Sequence, residues 1–284
     1  MLFRSYVVAT PIGNLSDLSK RAIDTLISAD YILAEDTRQT IKLLNHFNIK
    51  NKMVSYHKYN ESKRSFDVIE DLKSGKDIAL VSDAGTPCIS DPGYILVKRA
   101  REEGIKVIGV PGASAVITAL SISGLDTSKF TFYGFVPTIN KEKKELFEEI
   151  KHSDVKTKVL YESPKRIIKL LEDINNEIPG CAVCVCSELT KMYESCIYGK
   201  IDEVLKTMIE NKDNIKGEYV ILLSNEQVNE AKENNMSIES LLIDIIVKNN
   251  SSLKDAVNIL NKENKNLSKK EIYNAGLNLK SILK

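Results

Sequence analysis

Short apolar segments alternate with helical patterns along most of the chain, and this alternation constrains the fold more than any other feature. Such an order is typical of α/β proteins, in which neighbouring strands run largely parallel. In the first part of the chain the apolar segments predict five strands, at residues 5–9, 31–34, 53–56, 78–81 and 106–110. Helical patterns lie between the strands, at residues 17–28, 37–46, 62–72 and 93–103.

The second part of the chain continues the pattern with longer polar connections. After a helical pattern at 114–121, strands are predicted at 130–135, 158–161, 181–187 and 218–223. Helices are predicted between them, at 141–151, 163–175 and 201–209. Three short helical patterns then end the chain, at 238–247, 253–260 and 269–279. We therefore predict an N-terminal α/β domain (1–112), a C-terminal α/β domain (113–224), a linker (225–236) and a small helical module (237–284).

The composition describes a globular protein with a large core. Of 284 residues 43% are hydrophobic and 28% are charged, which excludes disordered, collagen-like and coiled-coil chains. No apolar run approaches 18 residues, so we expect no membrane span. The first residues lack the features of a signal peptide, and we expect a cytoplasmic protein. The five cysteines are accordingly interpreted as reduced thiols.

Charge and histidine content argue against two classes of function. The 40 basic and 39 acidic residues leave a net charge of +1, so any binding of a polyanion has to be local. The helical tail is interpreted as a solvated cap, with a docking surface for RNA as the alternative. The three histidines are far apart, and Cys181, Cys184 and Cys186 fit a buried strand with only Cys196 nearby. We therefore predict no metal site.

Three loops at the predicted carboxyl ends of strands combine glycine, proline and small hydroxyl residues. They are Thr10-Pro11-Ile12-Gly13-Asn14, Ser82-Asp83-Ala84-Gly85-Thr86-Pro87, and Pro111-Gly112-Ala113-Ser114. Open α/β sheets bind ligands at this edge. The loops contain neither a Walker sequence nor the dinucleotide Gly-x-Gly-x-x-Gly pattern. They suit a ligand held by backbone amides and carbonyls, such as an adenosyl group joined to an amino-acid zwitterion.

Further motifs accompany these loops along residues 1–224. Together, the segments are residues 8–15, 34–38, 81–87, 91–93, 111–112, 133–135, 161–164 with Arg166, 188–191 and 216–220. In order and spacing they resemble the tetrapyrrole methylase superfamily, whose members are S-adenosylmethionine-dependent methyltransferases with a two-domain α/β fold. Within it, the sequence resembles the RsmI family, which methylates the ribose 2′-oxygen of a decoding-centre cytidine in bacterial 16S rRNA. Corrin- and haem-pathway members usually carry a Gly-rich first loop and a Gly-Asp-Pro second loop, which this chain lacks.

The resemblance implies a cofactor, a substrate and an assembly. S-adenosylmethionine would lie in the cleft between the domains, the substrate would be 16S rRNA in the small ribosomal subunit, and the protein would form a homodimer. The expected cofactor-binding residues are Thr10, Pro11, Gly13, Asp83, Ala84, Gly85, Thr86, Pro111, Gly112, Ala113 and Ser114.

A ribose hydroxyl is a weak nucleophile, so a base or polarising group is expected near it. The acidic and lysine side chains of the loops that could face the cleft are Glu35, Asp36, Asp83, Glu162, Glu188, Lys191 and Glu218. Among them we select Glu162, Glu188 and Lys191 as catalytic candidates, although the last two could instead form a structural salt bridge. Arg38, Lys165 and Arg166 are candidate phosphate contacts, with solvated surface as the equal alternative.

Two other functions are compatible with the same fold. One is a methyltransferase for a tetrapyrrole or a protein side chain, because a fold does not determine its substrate. The other is a ribosome-binding factor that keeps a cofactor pocket without catalysis. Transfer of a methyl group to a defined acceptor distinguishes all three.

Overall fold

The computed structural model describes residues 4–227, 237–249, 251–263 and 268–282. The chain divides into two compact units, Met1–Val228 and Asn229–Lys284. The first unit contains two five-stranded sheets, and the second contains helices. The further division that the sequence predicts at residue 112 falls between the last strand of the first sheet and the helix that follows it, and it stays a prediction.

The first sheet is entirely parallel, as the sequence predicts. Its strands are β1 (Arg4–Val8), β2 (Tyr31–Ala34), β3 (Met53–Ser55), β4 (Ile78–Val81) and β5 (Lys106–Val110), in the order β3-β2-β4-β1-β5. The helices between them are α1 (Lys20–Ser28), α2 (Thr37–His46), α3 (Glu61–Lys73) and α4 (Tyr94–Glu102). Because all five strands point the same way, the loops that leave their carboxyl ends meet at one edge.

Helices cover both faces of this sheet. On β4, Ala79 and Val81 face a core that contains Leu26 of α1 and Leu44 of α2. Their neighbours Ile78 and Leu80 face the other core, with Leu72 of α3 and Leu96 of α4. Alternate residues of a strand point to opposite faces, so a strand buried on both sides is apolar throughout. This explains why the sequence predicts these strands as continuous apolar runs.

The second sheet is mixed rather than largely parallel. The elements are α5 (Ala115–Ile122), β6 (Phe130–Phe135), α6 (Asn140–His152), β7 (Thr157–Glu162), α7 (Ile167–Glu177), β8 (Cys181–Ser187), β9 (Ser195–Lys200), α8 (Ile201–Glu210) and β10 (Tyr219–Gln227). The strand order is β6-β7-β10-β8-β9, and only β6 and β7 pair in parallel. The predicted, largely parallel arrangement is therefore wrong for this sheet. β8 and β9 form an antiparallel hairpin, and β10 lies antiparallel between β7 and β8.

The pattern of apolar residues missed one strand and shortened another. No strand is predicted at β9, which is an edge strand whose side chains are mostly exposed or half-buried and which contains Gly199. β10 extends to Gln227, so residues 225–227 belong to a strand and not to the predicted linker. The rest of that linker, residues 228–236, lies outside the described residues.

Two helices begin later than predicted. The helix predicted at 17–28 begins only at Lys20, after a short 3-10 turn at Leu15–Asp17. The Ser19 hydroxyl accepts a hydrogen bond from the Ala22 amide at 3.1 Å and begins the helix there. The helix predicted from residue 163 begins only at Ile167.

The described residues of the second unit form the three helices that the sequence predicts in the tail. They are α9 (Ile238–Asn249), α10 (Leu253–Glu263) and α11 (Lys269–Ile282). Leu242, Ala256, Leu260 and Ile272 are buried in a common core. The unit therefore has an apolar interior of its own. In the part of the chain that the structure describes, no helix is long and apolar enough to cross a membrane.

The structure corrects the expectation that all five cysteines are reduced. Cys186 of β8 and Cys196 of β9 are direct partners in the antiparallel register, with their Cα atoms 4.1 Å apart, and they form a disulfide. The Sγ atom of Cys184 lies 3.7 Å from that of Cys186. Although these three sulfur atoms lie within 4.8 Å of one another, the disulfide leaves Cys184 as the single free thiol of the cluster.

Candidate active site

The three predicted loops converge at the carboxyl edge of the first sheet. The backbone amide of Thr10 donates to the Gly85 carbonyl at 2.8 Å, and the Gly85 amide donates to the Thr10 carbonyl at 3.1 Å. The hydroxyl of Thr86 donates to the Ala113 carbonyl at 3.2 Å. The second loop is therefore bonded to both of the others, and the three form one connected wall.

Glycines make the close approach of these loops possible. Gly85 has a φ of +81°, a left-handed conformation that strongly favours glycine. A side chain at Gly112 would place its Cβ atom 2.9 Å from the Cβ atom of Ala9, which is too close. The residue types at these two positions follow from the backbone geometry of the wall.

A cavity of about 410 Å³ lies between this wall and the second sheet. The side of the first sheet contributes Ile12, Glu35, Asp83, Ala84, Gly85, Thr86, Ile89, Ser90, Asp91, Ser114 and Ala115. The other side contributes Phe135, Tyr161, Glu188, Leu189, Lys191, Gly217, Glu218, Tyr219 and Val220. We call this cavity the cleft. Its position outside the carboxyl ends of parallel strands is where α/β proteins bind their ligands.

The lining of the cleft is strongly acidic. Five carboxylates and one ammonium face it, from Glu35, Asp83, Asp91, Glu188, Glu218 and Lys191. Burial raises the pKa values of Glu35, Asp83 and Asp91, and the charges of neighbouring carboxylates add to this effect. The Asp83 carboxylate is fixed by accepting a hydrogen bond from the Asp36 amide at 3.1 Å. Such a site favours a cationic ligand.

Most of the chain matches the sequence model of one protein family. The sequence model of the family described as Tetrapyrrole (Corrin/Porphyrin) Methylases matches residues 4–205, which include the first sheet and strands β6 to β9 of the second. The chain belongs to the tetrapyrrole methylase family. This confirms the family and the fold that the sequence motifs suggest.

Two relatives match over most of their length. A protein of Halalkalibacterium halodurans named Ribosomal RNA small subunit methyltransferase I is 50% identical over 218 residues, which are 77% of this chain and 74% of that protein. A protein of Vibrio cholerae with the same name is 42% identical over 273 residues, 96% of this chain and 93% of that protein. The chain is thus similar to these relatives well beyond the three loops.

A solved structure shares the fold of this chain. It is the uroporphyrin-III C-methyl transferase from Thermus thermophilus complexed with S-adenyl homocysteine. The TM-score is 0.53 at 17% identity, and the match covers 78% of this chain and 97% of that one. At this identity the likeness shows the fold alone.

Among the predicted cofactor-binding residues of this methylase, only some line the cleft. Those that do are Asp83, Ala84, Gly85, Thr86 and Ser114. The others, Thr10, Pro11, Gly13, Pro111, Gly112 and Ala113, are not among the lining residues. Two of these residues contact the lining directly, because the Thr10 amide donates to the Gly85 carbonyl and the Ala113 carbonyl accepts a hydrogen bond from the Thr86 hydroxyl.

Two of the predicted catalytic residues form an ion pair in the cleft. The Nζ atom of Lys191 lies 2.9 Å from the Oε1 atom of Glu188. The same carboxylate lies directly against Gly217, where a Cβ atom would collide with it. Gly217 also has a φ of +71°. The motif at 216–220 therefore contains a glycine whose missing side chain makes room for Glu188.

The third predicted catalytic residue, Glu162, does not line the cleft. It is 2% exposed and accepts hydrogen bonds from the Ser163 amide at 2.6 Å and from the Nε atom of Arg166 at 2.8 Å. A second guanidinium nitrogen of Arg166 lies 2.6 Å from the same carboxylate. These bonds hold the turn between β7 and α7, so the structure gives Glu162 and Arg166 a structural contact with each other.

The other predicted RNA contacts lie at the surface. The Arg38 side chain is 87% exposed and forms an ion pair with Asp36 at 2.6 Å. Lys165 is exposed at the turn after β7. Their contact with RNA stays a prediction.

Several lining residues were not selected from the sequence. Asp91, Phe135, Tyr161 and Tyr219 line the cleft, and each lies in a segment that carries the family resemblance. The motifs therefore marked the right segments. For Phe135, Tyr161 and Tyr219, which side chain faces the cleft depends on the pairing of the second sheet, and periodicity does not predict that pairing. Asp91 instead lies in the loop between β4 and α4.

Proposed function

We propose that this chain transfers a methyl group from S-adenosylmethionine to the ribose 2′-oxygen of a decoding-centre cytidine in 16S rRNA of the small ribosomal subunit. The observation that carries the proposal is the acidic cleft between the two sheets of a methylase fold. The names of the two relatives support small-subunit rRNA as the substrate. The choice of the ribose oxygen and of the cytidine is carried by the motif resemblance.

The residues of the cleft fit a cationic methyl donor. S-adenosylmethionine supplies an activated methyl group on a positively charged sulfonium. Because its amino-acid part is a zwitterion, the donor as a whole carries a net positive charge. Carboxylates of Glu35, Asp83 and Asp91 provide the opposite charge, while Lys191 is already paired with Glu188. Asp83, Ala84, Gly85, Thr86 and Ser114 would hold the donor, and the loops behind them would fix their positions.

Methyl transfer from an activated donor requires mainly alignment of the donor with the acceptor oxygen. The wall of hydrogen-bonded loops on one side and β7 and β10 on the other form a rigid frame for that alignment. Phe135 packs edge-on against Tyr161, with ring centroids 5.4 Å apart, and both rings border the cleft. These rings would exclude water from the acceptor side.

Asp91 is the carboxylate that we assign to the proton of the acceptor hydroxyl. It lines the cleft opposite Tyr161, whose pKa its charge helps to raise after the larger effect of burial. Burial raises the pKa of Asp91 itself, and the charges of Asp83 and Glu218 add to this, while a hydrogen bond with Ser82 opposes it. A carboxylate with a raised pKa is a stronger base than an ordinary one, so its oxygens would accept the proton as the hydroxyl oxygen gains the methyl group.

The experiment that tests this function compares acceptors. Labelled methyl transfer from S-adenosylmethionine is measured to small ribosomal subunits lacking the modification, to free 16S rRNA and to a corrin precursor. We expect label in the subunits. Label on the corrin precursor alone would instead establish a tetrapyrrole methyltransferase. Donor binding without transfer to any acceptor would support the binding-factor alternative.

A further inference from the structure

The hairpin between β8 and β9 ends in a loop, residues 188–194, which we call the lip. Two of its residues, Glu188 and Thr190, have φ values of 51° and 67°. Residues other than glycine rarely adopt this left-handed backbone conformation, and such strained backbone is concentrated at functional sites. Glu188, Leu189 and Lys191 line the cleft, so the lip forms part of its border.

Several bonds hold the lip in this conformation. The Thr190 amide donates to the Glu194 carboxylate at 2.6 Å, and the Glu194 amide donates to the Lys191 carbonyl at 3.1 Å. The Asn14 amide of the first loop donates to the Thr190 hydroxyl at 3.0 Å. The disulfide between Cys186 and Cys196 closes its base. The lip is a rigid feature that connects the second sheet to the wall of the cleft.

The two residues at the tip of the lip have large hydrophobic side chains that are exposed to solvent. Met192 is 89% exposed and Tyr193 is 80% exposed. They follow Lys191 directly, so the chain leaves the cleft at Lys191 and presents the two side chains beside its rim. Single exposed apolar side chains are common on protein surfaces and need no explanation. Two adjacent large side chains on a rigid, strained loop are different, and we interpret them as a contact surface.

We propose that Tyr193, with Met192 beside it, stacks against an unpaired base of the RNA substrate next to the nucleotide whose ribose enters the cleft. This inference rests on the proposed function. A ribose can reach a cleft between two sheets only when its nucleotide leaves the base stack, and the neighbouring bases then need a new partner. An exposed aromatic ring at the rim provides such a partner without requiring a particular base.

The test compares three variants in binding and in turnover. Tyr193→Ala removes the ring, Tyr193→Phe keeps it, and Tyr198→Ala is the matched control, an exposed tyrosine further along the same hairpin. The dissociation constant for small subunits lacking the modification is measured by filter binding at fixed salt. The affinity for S-adenosylmethionine is measured by calorimetry, and the oligomeric state by light scattering. Turnover is measured as transfer of labelled methyl from S-adenosylmethionine to the same subunits.

We expect Tyr193→Ala to weaken subunit binding about tenfold or more, as removal of a stacking side chain does, with unchanged affinity for S-adenosylmethionine. Tyr193→Phe and Tyr198→Ala should bind subunits like the wild type. The inference is overturned if Tyr193→Ala binds subunits as tightly as the wild type does. It is also overturned if Tyr193→Ala changes the oligomeric state and loses donor binding, because the tip then has a structural role and is not an RNA contact. If the wild type methylates subunits but Tyr193→Ala binds them normally, only the inference about the lip has failed. If the wild type neither binds nor methylates subunits, the proposed function itself has failed.

Discussion

At the scale of single residues, the acidic lining of the cleft opposes stability, and in the proposed function the same carboxylates attract the methyl donor. Burial of Glu35, Asp83 and Asp91 raises their pKa values, so the folded protein binds protons more readily than the unfolded chain. These groups therefore make the unliganded protein less stable as the pH rises through their ordinary and then their raised pKa values. A bound cation would reverse part of this effect.

The substitution Asp91→Asn separates the two roles. We expect the variant to raise the melting temperature of the unliganded protein at neutral pH, because it removes a half-buried charge, and to lower methyl transfer on the order of 100-fold or more through loss of the base. Asp67→Asn, on the exposed side of α3, is the control and should change neither. Unaltered transfer by Asp91→Asn would show that another group accepts the proton.

The same carboxylates give a pH dependence. Binding of S-adenosylmethionine to the wild type should weaken as the pH falls through the raised pKa values, because protonation removes the charges that attract the donor. Over the same range the unliganded protein should gain stability from these groups. Calorimetric titrations at several pH values test the first effect and thermal melting the second. A donor affinity that is independent of pH would contradict the assigned role of the carboxylates.

Gly217 provides a second test with a closely matched control. Gly217 and Gly124 have φ values of +71° and +72°, but only Gly217 has a carboxylate, that of Glu188, where a Cβ atom would lie. Both Gly217→Ala and Gly124→Ala should lose roughly 1–2 kcal/mol from left-handed strain. Only Gly217→Ala should also weaken donor binding, because it displaces Glu188 in the cleft lining and leaves the Lys191 ammonium to oppose the cationic donor. Equal donor affinities in the two variants, measured by calorimetry, would remove that pair from the binding site.

At the scale of elements, sequence periodicity predicted the parallel sheet well and the mixed sheet poorly. Strands such as β2 and β4 are buried on both faces, so they are apolar throughout and bounded by loop residues. β9 is an edge strand with exposed positions, and a pattern of burial cannot reveal it. Missing β9 also hid the hairpin, and with it the disulfide and the lip that borders the cleft.

The disulfide is the element-scale feature that is most open to test. It closes a loop with a sequence separation of 10, and chain-entropy estimates for a loop of this size give about 3 kcal/mol. Addition of dithiothreitol should lower the free energy of unfolding of the wild type by about that amount in urea titrations. Cys196→Ser should be less stable to the same degree and insensitive to the reductant. Identical wild-type curves with and without dithiothreitol would restore the interpretation of five reduced thiols.

At the scale of the whole molecule, the sequence motifs correctly predict the family and the segments that border the cleft. Which side chains of those segments face the cleft is known only from the structure. Glu162 illustrates the difference. It lies in a motif that borders the cleft through Tyr161, yet strand alternation turns the glutamate away from the lining and into a bond with Arg166. The homodimer and the division at residue 112 remain predictions.

The position of the transferred methyl group tests the central claim most directly. Small subunits lacking the modification are incubated with the protein and labelled S-adenosylmethionine, the 16S rRNA is digested to nucleosides, and the labelled nucleoside is identified by mass spectrometry. Nuclease mapping then locates it in the sequence. We predict a single labelled species, 2′-O-methylcytidine, at one position in the decoding centre. Label on a base, on another nucleoside or on a ribosomal protein would contradict this account.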